Sequence, residues 1–448
     1  MQTDSRIKVI DSATGSGKTS CMIDYINDLS LEQKVIYITP LLTECQRIQD
    51  YCNRDFIQPD ASLGHGKKRN HFLDLIKRDE NIVSTHVLFS MMDEKVIDAL
   101  KEANYMLILD EVFQVVDTYR MWQLPSFDGL ASLKENLTRR NIEMLIAKNF
   151  IEVDEKTFKV NWIEKEFSAD RYADIKELTD RGMLYFVRNS LLLWTFPHRV
   201  FLPDVFKKIY VLTYLFESQL QKHYYDYFEI DYELFHIEEN NGKYTIIKTI
   251  DQEYDIAWRK KVKILIHILD NPKLNQLGDT YMSAKGLRHT SLCHRWYKEN
   301  PHEIKQIKNN IINFFQNIAH TKGDERMWTC FKADKLLFRD KNLSINDKKY
   351  WVAMNTRATN DFSHKTALAY VLNVYPNPMH SAFFESKNIK IDQDKYATSM
   401  LIQWIWRSAV RNGEEIQLYL PSERMRKLLK DFLDVKDLEH TAPNRQVP

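Results

Sequence analysis

Along the 448 residues, short unbroken apolar runs alternate with stretches in which apolar residues recur every three to four positions. The first kind predicts buried strands and the second amphipathic helices. In the first half, strands are predicted around Ile7, Val9 and Ile10, over Lys34–Pro40, over Asn81–Phe89 with its end at Ser84, Thr85 and His86, over Tyr105–Phe113, and over Lys207–Leu215. Helical spacing through Met22, Ile23 and Ile26, and through residues 41–52, separates the first three. From Gln114 to about Val205 the pattern changes, with no further clear buried run. Helix-like segments (Asn141–Lys148, Ala169–Leu178), a hairpin around residues 152–162 and an aromatic cluster at residues 191–201 predict an insertion with a small core of its own.

The second half starts near Glu217. Asn300, Pro301 and Glu303 form a helix start of N-cap, first-turn Pro and capping-box Glu. Ile304, Ile307, Ile311, Phe314, Phe315 and Ile318 continue it as one apolar stripe. Strands are predicted at Met327–Phe331, Tyr350–Thr356, Thr366–Asn373 and Glu414–Leu420, and a last helix over Ser422–Leu433. Alternating strands and helices imply parallel sheets. The expectation is two α/β domains in tandem, 1–216 and 217–448, with an insertion at about 114–205 in the first.

Composition adds constraints rather than direction. Lys plus Arg total 63 against 62 Asp plus Glu, so any polyanion site is a local patch and not a global basic field. The basic stretch Gly64–Asn70 reads as a solvated loop. The first residues have neither a basic n-region nor an apolar h-region, and no run approaches membrane-spanning length, so a cytoplasmic protein is expected. Five cysteines with no CxxC pair fit reduced thiols better than disulfides or zinc.

Chemistry concentrates in three places. Ser12–Ser20 (SATGSGKTS) lies between a strand and a helix. Gly15 and Gly17 let backbone N–H groups converge on an anion, and the helix start adds its positive end. Ala13, Thr14, Gly15, Ser16, Gly17, Lys18, Thr19 and Ser20 would cradle the phosphates, with Lys18 on the β and γ groups and Thr19 on a magnesium ion. The second place is Asp110–Glu111, two carboxylates ending a buried strand, which is costly unless a metal or partner neutralises them. In a phosphate-loop enzyme Asp110 orients the metal and Glu111 polarises the attacking water. The third is Gln403–Arg411. On a helix, Gln403, Arg407 and Arg411 share one face at i, i+4 and i+8 and could clamp an anion, while Trp404, Trp406 and Val410 pack behind them.

The phosphate loop, the Ile38-Thr39-Pro40 strand end, the Asp-Glu-Val-Phe run, a late TRATNDF and QWIWRSAVR occur in the order found in superfamily-2 helicases, the DEAD-like ATPases. The chain resembles that family over nearly its whole length, and its wording is most similar to replication-type helicases of bacteriophages. The resemblance implies two RecA-like domains that use ATP and Mg2+. It implies nucleic-acid contacts at Thr39, Pro40, Thr85, His86, Thr356 and Thr359, with Asp361 in the same late motif, and arginine fingers at Arg407 and Arg411 beside Gln403. DNA is the expected partner, more than RNA, and a replication protein could dock on the insertion. Several positions depart from the pattern. Ser12 replaces its first Gly, Thr213-Tyr214-Leu215 replaces Ser-Ala-Thr, Trp406 and Asn360 stand where Gly is usual, and only eleven residues precede Ser12, so an upstream adenine-reading glutamine is not expected. A double-strand DNA translocase or motor subunit of a restriction-like complex, and an ATP-dependent switch or scaffold without motor activity, are the alternatives.

Overall fold

A computed structural model describes residues 5–122, 134–136, 139–165, 172–188, 191–249, 255–278, 280–282, 288–340, 342–343, 350–356 and 361–435. The chain divides into two compact α/β units, residues 1–250 with 376–393, and residues 251–375 with 394–448.

In the first unit, β1 (Ile7–Asp11) leads through the glycine loop into α1 (Lys18–Asp28). Next come β2 (Lys34–Thr39), α2 (Leu42–Tyr51), β3 (Ile82–Thr85) and β4 (Tyr105–Asp110). Every residue of β4 is buried, as its unbroken apolar run requires of a strand covered on both faces. At the far end of α1, the Arg54 guanidinium donates to the carbonyls of Ile26 (2.8 Å) and Leu29 (2.7 Å), capping otherwise orphan acceptors.

The insertion carries β5 (Val116–Thr118), the short hairpins β6 (Arg120–Trp122) with β7 (Lys134–Asn136) and β8 (Ile151–Val153) with β9 (Val160–Trp162), then β10 (Leu184–Val187) and β11 (Leu191–Thr195). The hairpin expected at 152–162 is present. The antiparallel sheet β10-β11-β5, whose β10 is buried throughout, was not legible as a run of buried strands. A separate core of Tyr119, Ile142, Leu145, Ile151, Val160, Ile175, Leu184 and Phe186 holds the module together.

The main sheet is completed by β12 (Lys208–Thr213), β13 (Glu233–Asn240) and β14 (Lys243–Lys248), in the order β14-β13-β1-β12-β4-β2-β3. Only β14 is antiparallel to its neighbour. Because β13 pairs with β1, β13 and β14 finish the first sheet, and the expected boundary at 216/217 moves to 250/251. A late segment also belongs here. Its helix Pro378–Glu385 places Phe383 against Tyr185 and Tyr227, with ring centroids 4.7 and 4.3 Å apart. Register brings Asp11 opposite Thr213, Asp110 opposite Leu212, and Thr39 opposite Thr85, so these strand ends lie along one edge. Ligands of open parallel sheets bind at such carboxyl ends.

The second unit has an all-parallel sheet, β15 (Ile266–Ile268), β20 (Ile416–Tyr419), β19 (Ala367–Tyr370) and β18 (Arg326–Thr329) in that order. A two-stranded ribbon of β16 (Thr280–Met282) and β17 (Arg288–Thr290) stands apart from it. Tyr350–Thr356 is not a strand, since only Trp351 bridges to Trp328. The helix expected from Asn300 begins at Ile304, after a turn, and ends in a π segment, Phe314–Ile318. Its stripe is otherwise as predicted, with Ile304, Ile307, Ile311, Phe314 and Phe315 buried.

Candidate functional site

The glycine loop is held from three directions. Asp11, the last residue of β1, accepts backbone hydrogen bonds from Leu215 (2.8 Å) and Phe216 (2.9 Å) just beyond β12. The Ser12 backbone donates to Thr213 O (3.0 Å), and its hydroxyl accepts from Ile237 N of β13 (2.8 Å). Serine at the place of the usual first glycine therefore ties the loop to the strand beside it. Ala13 is buried, Thr14 half-buried and Gly15 exposed, and Ser16 N donates back to Ala13 O at 3.1 Å.

Gly15 and Gly17 have φ of 84° and 82°, left-handed values that favour glycine. Gly17 caps α1, and a methyl group there would lie 2.5 Å from Tyr244 Cε1, so glycine is favoured on both counts. The buried Lys18 ammonium donates to the carbonyls of Ser12 (2.8 Å) and Ala13 (3.1 Å). Burial lowers its pKa, against the raising influence of Glu111, Asp11 and Asp110. Ser20 Oγ accepts from Arg47 of α2 at 3.1 Å.

Asp110 Oδ2 accepts from Tyr37 OH (3.0 Å) and Thr19 Oγ1 (3.1 Å). Burial, and then the neighbouring Glu111, push the Asp110 carboxyl up to about 7. Glu111 adopts φ 67°, a left-handed value that costs a non-glycine residue of order 1–3 kcal/mol, and its N–H donates to Leu212 O at 2.9 Å.

Thr19 and Asp110 offer paired hard oxygens, and the buried Ser16 hydroxyl makes no hydrogen bond within the protein. These features fit a magnesium nucleotide. No cluster of three or more His, Cys, Asp or Glu gathers among the described residues.

The other expected residues fall differently. Thr39 is fully buried, so its side chain offers no surface contact, whereas Pro40, Thr85 and His86 are half-buried. His86 Nε2 lies 2.9 Å from the backbone oxygen of Asp110, joining the end of β3 to the acidic pair. In the second unit, half-buried Thr356 closes a turn through its N–H to Ala353 O (3.0 Å), and Thr359 lies outside the described residues.

Gln403, Arg407 and Arg411 do not share one helix face. The helix Gln393–Ile405 stops before Arg407, and Arg411 sits in a separate 3-10 turn, Ala409–Asn412. Beyond the helix end the Ser408 hydroxyl donates to Ile405 O at 2.6 Å. Arg407 is only 6% exposed. Trp404 and Val410 pack inward as expected, and Trp406 lies against Trp258, with ring centroids 5.0 Å apart.

Asp11, Tyr37 and Tyr244 escaped sequence reasoning. Asp11 was findable, because it is also a charge ending a buried strand. Tyr37 looks like any core aromatic, and Tyr244 is more than two hundred positions from the loop it touches.

Residues 260–433 match the family described as the YonV C-terminal Rossmann-like domain, and residues 134–194, inside the insertion, match the YonV middle domain. A solved structure described as an XPD helicase covers 95% of both chains at 12% identity with a TM-score of 0.45, a likeness too distant to carry weight. A Bacillus subtilis (strain 168) protein described as SPbeta prophage-derived uncharacterized protein YonV is 37% identical over 433 residues, 96% of this chain and 99% of that protein. At that identity and coverage, the chain belongs to the YonV family.

Proposed function

We propose that the protein is a superfamily-2-type ATPase that moves on or unwinds nucleic acid, most simply DNA during phage replication or recombination in the host cytoplasm. The prophage origin of its relative suits that setting. The observation that carries the reading is the convergence of Lys18, Thr19, Asp110 and the strained Glu111 at one sheet edge. Lys18 would exchange its two loop carbonyls for the β and γ phosphates. Thr19 and Asp110 would hold Mg2+, which neutralises phosphate charge when bound. Glu111 would orient and deprotonate the attacking water, and Arg407 and Arg411 would act as fingers with Gln403. Pro40, Thr85, His86 and Thr356 would contact backbone phosphates without reading bases.

The experiment is the ATPase rate with single-stranded DNA, double-stranded DNA, RNA and no nucleic acid, followed by strand displacement. Strong stimulation by single-stranded DNA is expected. Hydrolysis indifferent to nucleic acid would replace this reading with a nucleotide-dependent switch, which the burial of Arg407 and Leu215 standing where a Thr hydroxyl is usual also favour.

A further inference from the structure

We infer that the β13-β14 hairpin is the nucleoside side of the nucleotide pocket and that the Tyr244 ring is the platform on which the base stacks. The inference rests on the nucleotide reading above and names a part of that site which the loop motif leaves open.

Two independent ties bring this hairpin to the phosphate loop. The Ile237 N–H donates to the Ser12 hydroxyl at the loop's start (2.8 Å), and the tip of the Tyr244 ring lies on Gly17 at its end, where a methyl group would meet Cε1 at 2.5 Å and the hydroxyl at 2.6 Å. The strand and the ring thus bracket the loop over its whole length.

Tyr244 is half-buried. Together with Ile246 it packs on the cluster that contains Ile10 of β1 and Cys21 and Met22 of α1, so the ring is set by the same core as the loop. A triphosphate whose phosphates lie along the loop N–H groups leaves at the start of α1, which is where Gly17 and the ring stand. An aromatic face there takes a purine by stacking. Every base has such a face, so the ring supplies affinity with little discrimination. The hairpin follows β12 in the chain, so this base site is built from after the sheet's last parallel crossover and needs no element upstream of the loop.

The test compares full-length wild type with Tyr244→Ala, Tyr244→Leu and Tyr244→Phe by calorimetric titration with Mg-ATP, Mg-GTP and magnesium tripolyphosphate, which has no base. Thermal unfolding checks each fold. Tyr244→Leu keeps the hairpin's apolar contact should the Ala variant be unstable. The Ala and Leu variants are expected to weaken ATP about tenfold or more and leave tripolyphosphate within about twofold. Phe should hold ATP near wild type, and GTP should bind wild type within a few-fold of ATP. Equal loss of ATP and tripolyphosphate would show that the ring only props the loop and would overturn the inference. So would unchanged ATP affinity in both variants, or wild type binding tripolyphosphate as tightly as ATP. Wild type that binds neither probe would instead remove the nucleotide site itself.

Discussion

The phosphate loop and the arginine row are both short, charged and adjacent to a sheet, yet only the loop gathers its groups at one place. The loop is anchored by distant parts of the chain. Leu215 and Phe216 donate to Asp11, Ile237 to Ser12, and Tyr244 packs on Gly17. The arginine row is broken instead: its helix stops at Ile405, and the turn beyond it is pinned separately, by Ala409 N–H to Lys365 O (3.0 Å) and Asn412 to Ser363 O (2.9 Å). Long-range ties fix a backbone whose N–H groups must converge before any ligand arrives, which is what preorganised anion binding needs. The ties on the arginine turn hold its backbone without lining the two guanidinium groups up on one face, and its arginines differ in burial, with Arg407 at 6% exposure and Arg411 half-buried.

The sharpest way to break this contrast is Lys18→Ala. If the loop is the preorganised half, its only cation facing the phosphates is indispensable, and hydrolysis should fall to background while thermal unfolding stays near wild type. Measurable turnover above background would mean that the loop does not bind the transferred phosphate.

Next in size are the arginines. A finger is worth roughly a thousandfold or more in rate, so Arg411→Ala should cut stimulated turnover by that order with little change in ATP affinity. Arg411→Lys should rescue poorly, because an ammonium lacks the planar fork. Arg407→Ala should lower turnover and stability together, given its burial. If both Ala variants hydrolyse ATP at wild-type rates, the second unit plays no part in the chemistry.

Glu111→Gln should cost about a hundredfold or more in turnover, in line with loss of a general base, while ATP stays bound. Single-turnover measurements against equilibrium binding separate the two effects, and a wild-type rate would remove Glu111 from the reaction.

The same contrast explains what was legible. Where chemistry and geometry are written within nine residues, as at Ser12–Ser20, or in one buried run, as at Tyr105–Asp110, pattern reading located strand, loop and carboxylates together. The i, i+4, i+8 spacing at Gln403, Arg407 and Arg411 assumed a helix that in fact stops at Ile405, and an end of that kind is not encoded in periodicity. The boundary moved because the pairing of β13 with β1 joins residues far apart in sequence. Phe383 meets Tyr185 and Tyr227 by the same kind of non-local contact, and no spacing rule connects them.

The smallest effect probes the long-range side directly. His223 is 5% exposed, its ring lies 5.8 Å from that of Phe384 in the late segment 376–393, and neither ring nitrogen makes a hydrogen bond. Burial lowers its pKa to about 4, and Lys222 pushes the same way against Asp226 and Asp392. An unfolded histidine titrates near 6.5. Between about 4 and 6.5 the unfolded chain therefore binds more protons than the folded one, so stability is lost as pH falls through that window and is flat with respect to this group above it. The slope for one such site is at most about 1.4 kcal/mol per pH unit. His223→Phe, which keeps an aromatic ring against Phe384, should flatten part of the acid-side loss seen in urea unfolding between pH 7 and pH 5. His198 and His380, whose pKa values burial also lowers, should leave a residual slope in the variant. If wild type and variant lose stability in parallel over that range, His223 is not strained by its burial, and the late segment's hold on the first unit is independent of pH at this contact.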